Sequence, residues 1–496
     1  MNNNDIGIFI FRKDMRIFDN RGLINLSEKS KEILPIFIFD PYQVDLNSKT
    51  KNYLSFPALR FICESLKDLD KYISKSKSKL YIFYGNIIKV LNYLIKNIKN
   101  IFGDIKLAIG FNVDYTEYSL IRDNNIIDFA NKNNIECILT YDDYTMIDME
   151  LLLREPKQPY KQYGAFKKNM LQYSTKFNKP NYKKIKFIKK IIKLSKLLTL
   201  NEIDDFYIEY MDKNYKPIEI GCRDIAIKKL SNLNKFNEYN TKRDLLSFET
   251  TRLSAYLNFG LISEREFYYT VIEKLGSETQ LINQIIWRDY YLCLLRYLNN
   301  ANSYINHIDN RYNKIKWTDK IPSLNSIVWK EWNLMLNSKT GFLLVDSAIQ
   351  EIKHTGFMHN RCRMIVGVFS VKYLKINPLC RFIGLNDWFS RYLLDCSTSQ
   401  NKLNAQWVSE LDFPGKKFAP SSSPIAGRPM NISNSMIKKW DPGCIYIKKW
   451  LPHLDDVDNK ILYNWDNKYD ESKHPKPIFY LKDRYNEWID LCKNIS

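Results

Sequence analysis

Four stretches of the chain carry side chains able to do chemistry together. Thr250, Thr251, Arg252, Leu253 and Ser254 put three hydroxyls and a guanidinium within five residues. At a helix start, unpaired N–H groups and the helix dipole favour an anion, so this cluster reads either as N-capping or as a phosphate cradle. Gln284, Trp287, Arg288 and Asp289 lead into Tyr290 and Tyr291. That run is either a packed core helix or a flat wall against which a base-like ring stacks. His359, Asn360, Arg361, Arg363 and Met364 follow a glycine at 356. Read singly, the histidine is structural; read with its neighbours, amide and guanidinium groups suit a base edge and a phosphate. Asp395 is the candidate ion-pair partner of Arg363, with Asn401, Gln406 and Trp407 beyond it.

The elements that position these residues fall into two kinds. Short β-rich runs at 6–11, 35–39, 80–84, 107–111 and 137–141 alternate with helical spacing at 56–74 and 87–101. Such alternation predicts a doubly wound parallel α/β sheet. No strand is followed by GxGxxG or GxxxxGK[ST], which excludes the ordinary dinucleotide and Walker loops. From 146 to 200 the periodicity weakens, and the lysines between 183 and 196 read as a solvated linker or helix face. Helical spacing then returns at 224–233, 263–275, 281–298, 343–353, 360–374 and 387–394, punctuated by Gly and Pro. The predicted organisation is an α/β domain over 1–145, a connector over 146–203 and an all-α domain over 204–496.

Composition narrows the function class. The 496 residues hold 75 Lys and Arg against 55 Asp and Glu, a formal charge of +20, with 45% apolar residues. A large core is affordable, global disorder is excluded, and a polyanionic partner is favoured. No uncharged apolar run reaches about 18 residues, so no membrane span is expected. Nine scattered cysteines without a CxxC pair, and only five histidines, point away from zinc and towards a reducing intracellular compartment. The polar opening Met1–Asp5 predicts no secretory leader.

In order and content the motifs resemble the photolyase/cryptochrome flavoprotein family across nearly the whole chain. The likeness runs from FIFRKDMRIFDN at 9–20 through TRLS at 251–254, WRD at 287–289, TG at 340–341, VD at 345–346 and MHNR at 358–361. It ends with KKWDP at 438–442 and YIKKWLP at 446–452. The resemblance implies FAD in the helical domain, its reduced form acting as a light-driven electron donor on UV-damaged DNA, in a monomer. It assigns Tyr239, Thr250, Thr251, Arg252, Leu253 and Ser254 to pyrophosphate and ribose. Arg288, Arg363, Asp395, Cys396 and Ser397 go to the flavin surroundings, and Asn401 to the flavin N5. The lesion pocket is implied to be walled by Trp287 and Trp407, lined by Gln284, Asn360 and Met364, with Arg243 and Arg361 facing DNA phosphates.

Enzymes of the (6-4) class carry two histidines where this chain has Asn360 and Met364, which favours a cyclobutane pyrimidine dimer as substrate. Gln284, where cyclobutane-dimer enzymes usually carry glutamate, speaks for the (6-4) alternative. A cryptochrome-type photoreceptor without repair is the third reading, opposed by retention of both indoles. Of the family's electron relay, Trp317 matches the distal member, whereas Phe382 and Ala405 replace the middle and proximal tryptophans, leaving Trp388 or Tyr392 as substitutes. The α/β domain is the implied location of a second, light-harvesting chromophore, whose identity the sequence does not give.

Overall fold

The apolar runs of the first third are unbroken rather than alternating, the pattern of strands covered on both faces. The computed structural model describes residues 4–44, 55–154, 158–160, 162–190, 192–194, 202, 215–297, 315–318, 326–380, 384–397, 403–404 and 429–493. In it β1 (Asn4–Phe11), β2 (Ser30–Phe39), β3 (Tyr81–Tyr84), β4 (Leu107–Asn112) and β5 (Glu136–Thr140) form one sheet in the order β3-β2-β1-β4-β5. All pairings are parallel, with Ile8 opposite Leu34, Phe9 opposite Gly110 and Ile36 opposite Tyr81. β2 starts five residues before the apolar run because Ser30 and Glu32 pair with Asn4 and Ile6. Helices Phe56–Ser74 and Ile87–Phe102 stand where the spacing places them, while Arg21–Lys29 and Glu117–Lys132 are additional crossovers.

The connector holds more structure than its periodicity suggests. A helix, Tyr163–Gln172, buries Phe166 and Met170. Over residues 183–190 the lysine-rich stretch is not a helix face. Residues 183–190 run extended beside β2, with Ile33 N–H donating to the Lys186 carbonyl and Ile188 N–H to the Ile33 carbonyl, at 2.9 Å each. Ile185, Phe187 and Ile188 turn inward and the lysines outward.

The helical region includes Arg223–Ser231, Glu264–Leu275, Gln280–Tyr297, Ile327–Leu336, Leu343–Thr355, Asn360–Val368, Leu385–Tyr392 and Leu481–Lys493. Ser263 and Glu266 close a capping box on Glu264–Leu275. The long helix expected over 360–374 is divided: the α-helical part ends at Val368, and Phe369–Tyr373 is a π-helical turn with every side chain buried. The cluster at 250–254 does not open a long helix. The helix there, Ser254–Asn258, has five residues and Leu253 as N-cap with no side-chain cap bond, so neither N-capping nor a helix-dipole cradle describes it.

The two regions meet through a buried charge cluster. Arg16 donates to both Asp143 oxygens at 2.9 and 2.8 Å and to the Gly260 carbonyl at 3.2 Å. Arg265 Nε reaches Asp19 at 2.8 Å, and its other nitrogens reach the Asp143 and Thr145 carbonyls and the Asp143 carboxylate. All four charged side chains are at most 1% exposed. Burial alone would push the Asp143 carboxyl up, but Arg16 and Arg265 together hold it below its ordinary value. Close by, Gly260 takes φ +67° and packs so tightly that a Cβ would stand 2.3 Å from the Lys13 carbonyl oxygen.

Gly260→Ala is therefore expected to cost about 2–4 kcal/mol, combining left-handed strain with a backbone clash. Gly276 has φ +77° and ψ 177° with nothing within 4 Å of its missing Cβ, so Gly276→Ala should cost about 1–3 kcal/mol of backbone strain with no clash added. Denaturant midpoints of the two variants, measured side by side, check the difference.

Candidate functional site

Helix Gln280–Tyr297 turns one stripe towards a cavity of about 500 Å³ in the helical region. Gln284, Trp287, Arg288 and Tyr291 stand at i, i+3, i+4 and i+7 and all border it. A second wall comes from the start of helix Asn360–Val368, which contributes Asn360, Arg361, Arg363 and Met364. His359 caps that helix, its Nδ1 accepting from the Arg361 N–H at 3.1 Å. The third wall is Tyr239, Arg243 and residues 250–254, and Asp395 closes the floor. The volume lies inside the roughly 300–1,000 Å³ range of small-molecule sites.

Arg363 and Asp395 form the expected pair, with Nη2 at 3.1 and 2.9 Å from the two carboxylate oxygens and Nε donating to the Met358 carbonyl at 2.9 Å. Both side chains are 11% exposed, so one guanidinium nitrogen holds both carboxylate oxygens in a shielded ion pair. Arg361 does not stand free for phosphate: it pairs with Asp244 at 2.6 Å, on the same cavity wall. Arg288 borders the cavity, but its guanidinium is held by Glu264 and the Tyr144 carbonyl, which ties it to the domain junction. Burial raises the Glu264 carboxyl against the pull of Arg288 and Arg16.

Arg252 is the strained member, at φ +51°, with a buried Nε that has no hydrogen-bond partner. With only a long 3.6 Å pair to Glu249 and an unpartnered Nε among the described residues, this guanidinium beside Thr250, Thr251 and Ser254 fits an anionic bridge such as a pyrophosphate. Leu253, Leu257, Ile285, Phe357 and Met358 supply the apolar surface that flat rings need. The residues present therefore fit FAD.

Other sequence-assigned residues fall elsewhere. Cys396 lines a different cavity under the sheet, its carbonyl accepting from Asn258, and Ser397 is buried but does not border the larger cavity. Their assignment to the flavin surroundings is not matched by position on this wall. Trp317 sits 6.0 Å from the Trp488 ring, and Trp388 lies 5.3 Å from Tyr392. Neither borders the cavity. Asn401, Trp407, Phe382 and Ala405 lie outside the described residues. Sequence reasoning missed Asp244 and Asn404 as wall residues, whereas Tyr291 belongs to the run read as a flat wall. Asp244 and Asn404 carried no local signal.

The smaller cavity, about 80 Å³, opens at the C-terminal ends of β1 and β2, where doubly wound sheets hold ligands. Arg12, Lys13, Asp40 and Tyr118 line it. They are already engaged: Arg12 with Asp123 at 2.8 Å, Lys13 with Asp114 at 3.2 Å, and Tyr118 with Asp40 and with the Tyr42 ring, stacked at 5.0 Å and 10°.

Residues 8–182 match the family described as DNA photolyase, and residues 281–494 match the FAD binding domain of DNA photolyase. A deoxyribodipyrimidine photo-lyase of Buchnera aphidicola subsp. Baizongia pistaciae is 28% identical over 96% of this chain and 95% of its own length. A (6-4)DNA photolyase of Arabidopsis thaliana is 26% identical over 91% of this chain and 80% of its own. Among solved structures, an archaeal photolyase from Sulfolobus tokodaii with two FAD molecules superimposes with TM-score 0.78 at 27% identity, covering 99% of this chain and 100% of that one.

His359 offers a pH test of the site. Burial, then Arg361, pushes its pKa down from 6.5 to about 4. The folded protein thus refuses a proton that the unfolded chain accepts, and stability drains as pH falls from about 6.5 to about 4. His359→Asn removes that contribution, so its thermal midpoint should decline less over this interval than that of the wild type.

Proposed function

Because this chain belongs to the DNA photolyase/cryptochrome family and carries its FAD-binding domain, we propose that it is a monomeric, light-dependent repair enzyme for cyclobutane pyrimidine dimers. Reduced FAD, when bound, supplies under blue light the electron that splits the dimer. Arg252 and the hydroxyls of Thr250, Thr251 and Ser254 would hold the pyrophosphate. The Arg363–Asp395 pair would hold the flavin part of the cofactor and fix its orientation. Trp287 stacks on the flipped lesion, which leaves the duplex more readily than an intact pair. The Gln284 amide, exposed on the cavity rim, donates to and accepts from the base edge.

The observation that carries the choice of lesion is the chemistry of the second wall. Asn360 and Met364 offer an amide and a thioether there. The one imidazole on the described wall, His359, has its Nδ1 engaged by a backbone N–H and is neutral at pH 7. That wall lacks an imidazolium acid, which suits a reaction that breaks carbon–carbon bonds without group transfer. Gln284 remains the feature favouring a (6-4) lesion. The α/β domain is the proposed place of a second chromophore, with the cavity of about 80 Å³ beside Arg12, Lys13 and Tyr118 as its starting point.

The reduced holoprotein, illuminated with oligonucleotides carrying each lesion separately, is expected to restore only the cyclobutane dimer. Restoration of only the (6-4) lesion reverses the substrate assignment, and restoration of neither moves the reading to a photoreceptor. A second expectation concerns Asp244, which occupies Arg361. Asp244→Asn should release that guanidinium to DNA phosphate, tightening dark binding at low salt. The slope of log K against log salt should steepen by about 0.9.

A further inference from the structure

The indole of Trp287 borders the cavity, and from outside the cavity wall Tyr163 lies flat upon it. The ring centroids are 3.6 Å apart and the planes differ by 4°, so Tyr163 covers one face of the indole. Tyr163 opens the connector helix Tyr163–Gln172, and its register places Phe166 and Met170 on the same side at i+3 and i+7. Both are fully buried, and Phe166 packs at 5.3 Å against Tyr290 of helix Gln280–Tyr297. The Tyr163 hydroxyl donates to the Asn283 carbonyl at 3.2 Å, and its ring meets Tyr290 edge-on at 5.7 Å. The tyrosine is thus fastened at both ends of its ring, to the same helix that carries Trp287.

We propose that Tyr163 is a positioning residue for lesion recognition: it sets the plane of the Trp287 indole, and through that plane the stacking of the flipped base. The proposal rests on the reading of Trp287 as the lesion-stacking wall. An indole backed by a parallel ring has little freedom to turn about its side-chain torsions. A base arriving from the cavity therefore meets a surface whose orientation is already fixed, and the ordering cost of binding is reduced. The rigid backing comes from the connector, so a segment between the two domains contributes to substrate selection without touching the substrate.

The test uses the full-length holoprotein, with dark dissociation constants for DNA carrying one cyclobutane dimer and for the same DNA undamaged. Tyr163→Ala is expected to weaken lesion binding about fivefold, the scale of one lost aromatic pair. FAD content and binding of undamaged DNA should stay at wild-type levels. Tyr163→Phe, which keeps the stack, should restore lesion binding. Under illumination the Tyr163→Ala defect should appear in KM and vanish at saturating DNA. In a Trp287→Ala background, adding Tyr163→Ala should change nothing further. If Trp287→Ala weakens lesion binding and Tyr163→Ala does not, or if Tyr163→Ala lowers damaged and undamaged binding equally, the positioning role is overturned. If Trp287→Ala itself leaves lesion binding intact, the failure lies instead in the reading of the cavity.

Discussion

Arg265 enters the junction from the helical region with its guanidinium withdrawn from water, and Arg16 meets it from the loop after β1. Between them stand Asp19 and Asp143. Two buried cations facing two buried anions repay their desolvation only if the geometry is held, and removal of one member of such a set costs about 3–5 kcal/mol. The strands that deliver Arg16 and Asp143 and the helix that delivers Arg265 are thereby fixed in relative position. Helix Gln280–Tyr297 adds to the lock, since Asp289 accepts the Met146 N–H at 2.9 Å and is pushed by burial to a pKa of about 7. The cavity is built on these constraints.

The chemistry of the cavity follows from what its charges already do. Arg363 is committed to Asp395 and Arg361 closely to Asp244 at 2.6 Å, whereas Arg252 has only a long 3.6 Å pair to Glu249, and its Nε, like that of Arg361, has no partner among the described residues. An anionic ligand therefore gains most at Arg252, and the hydroxyl residues beside it supply further donors. The same cavity also carries the apolar side chains Leu257, Ile285 and Met358 and the indole of Trp287, against which flat rings pack. One site thus separates the part of a dinucleotide that needs charge from the part that needs dispersion.

Much of this was legible in the sequence, and the exceptions have physical causes. Unbroken apolar runs marked the five strands because parallel strands are buried on both faces. Gln284, Trp287 and Arg288 were legible because helical spacing alone brings them to one stripe. Glu117–Lys132 escaped notice since it buries only Ser119, Asp123, Ile126 and Ala130. The turn at Phe369–Tyr373 is a change of helical pitch within an apolar run, which composition does not register. Residues 250–254 misled because capping residue types occur there without the cap geometry. Pairings such as Arg361 with Asp244, or Tyr163 with Trp287, join residues more than a hundred positions apart and leave no local pattern.

Arg288 and Asp289 have a wider meaning for the architecture. Both grip backbone at Tyr144 and Met146, just past the last strand, while their neighbour Trp287 borders the cavity. One rigid rod is thus shared by the sheet and the binding chamber. Severing the halves genetically would strip this rod of its anchor and expose Arg265 to solvent without Asp19 and Asp143. The two modules of this chain form an inseparable chassis rather than interchangeable parts.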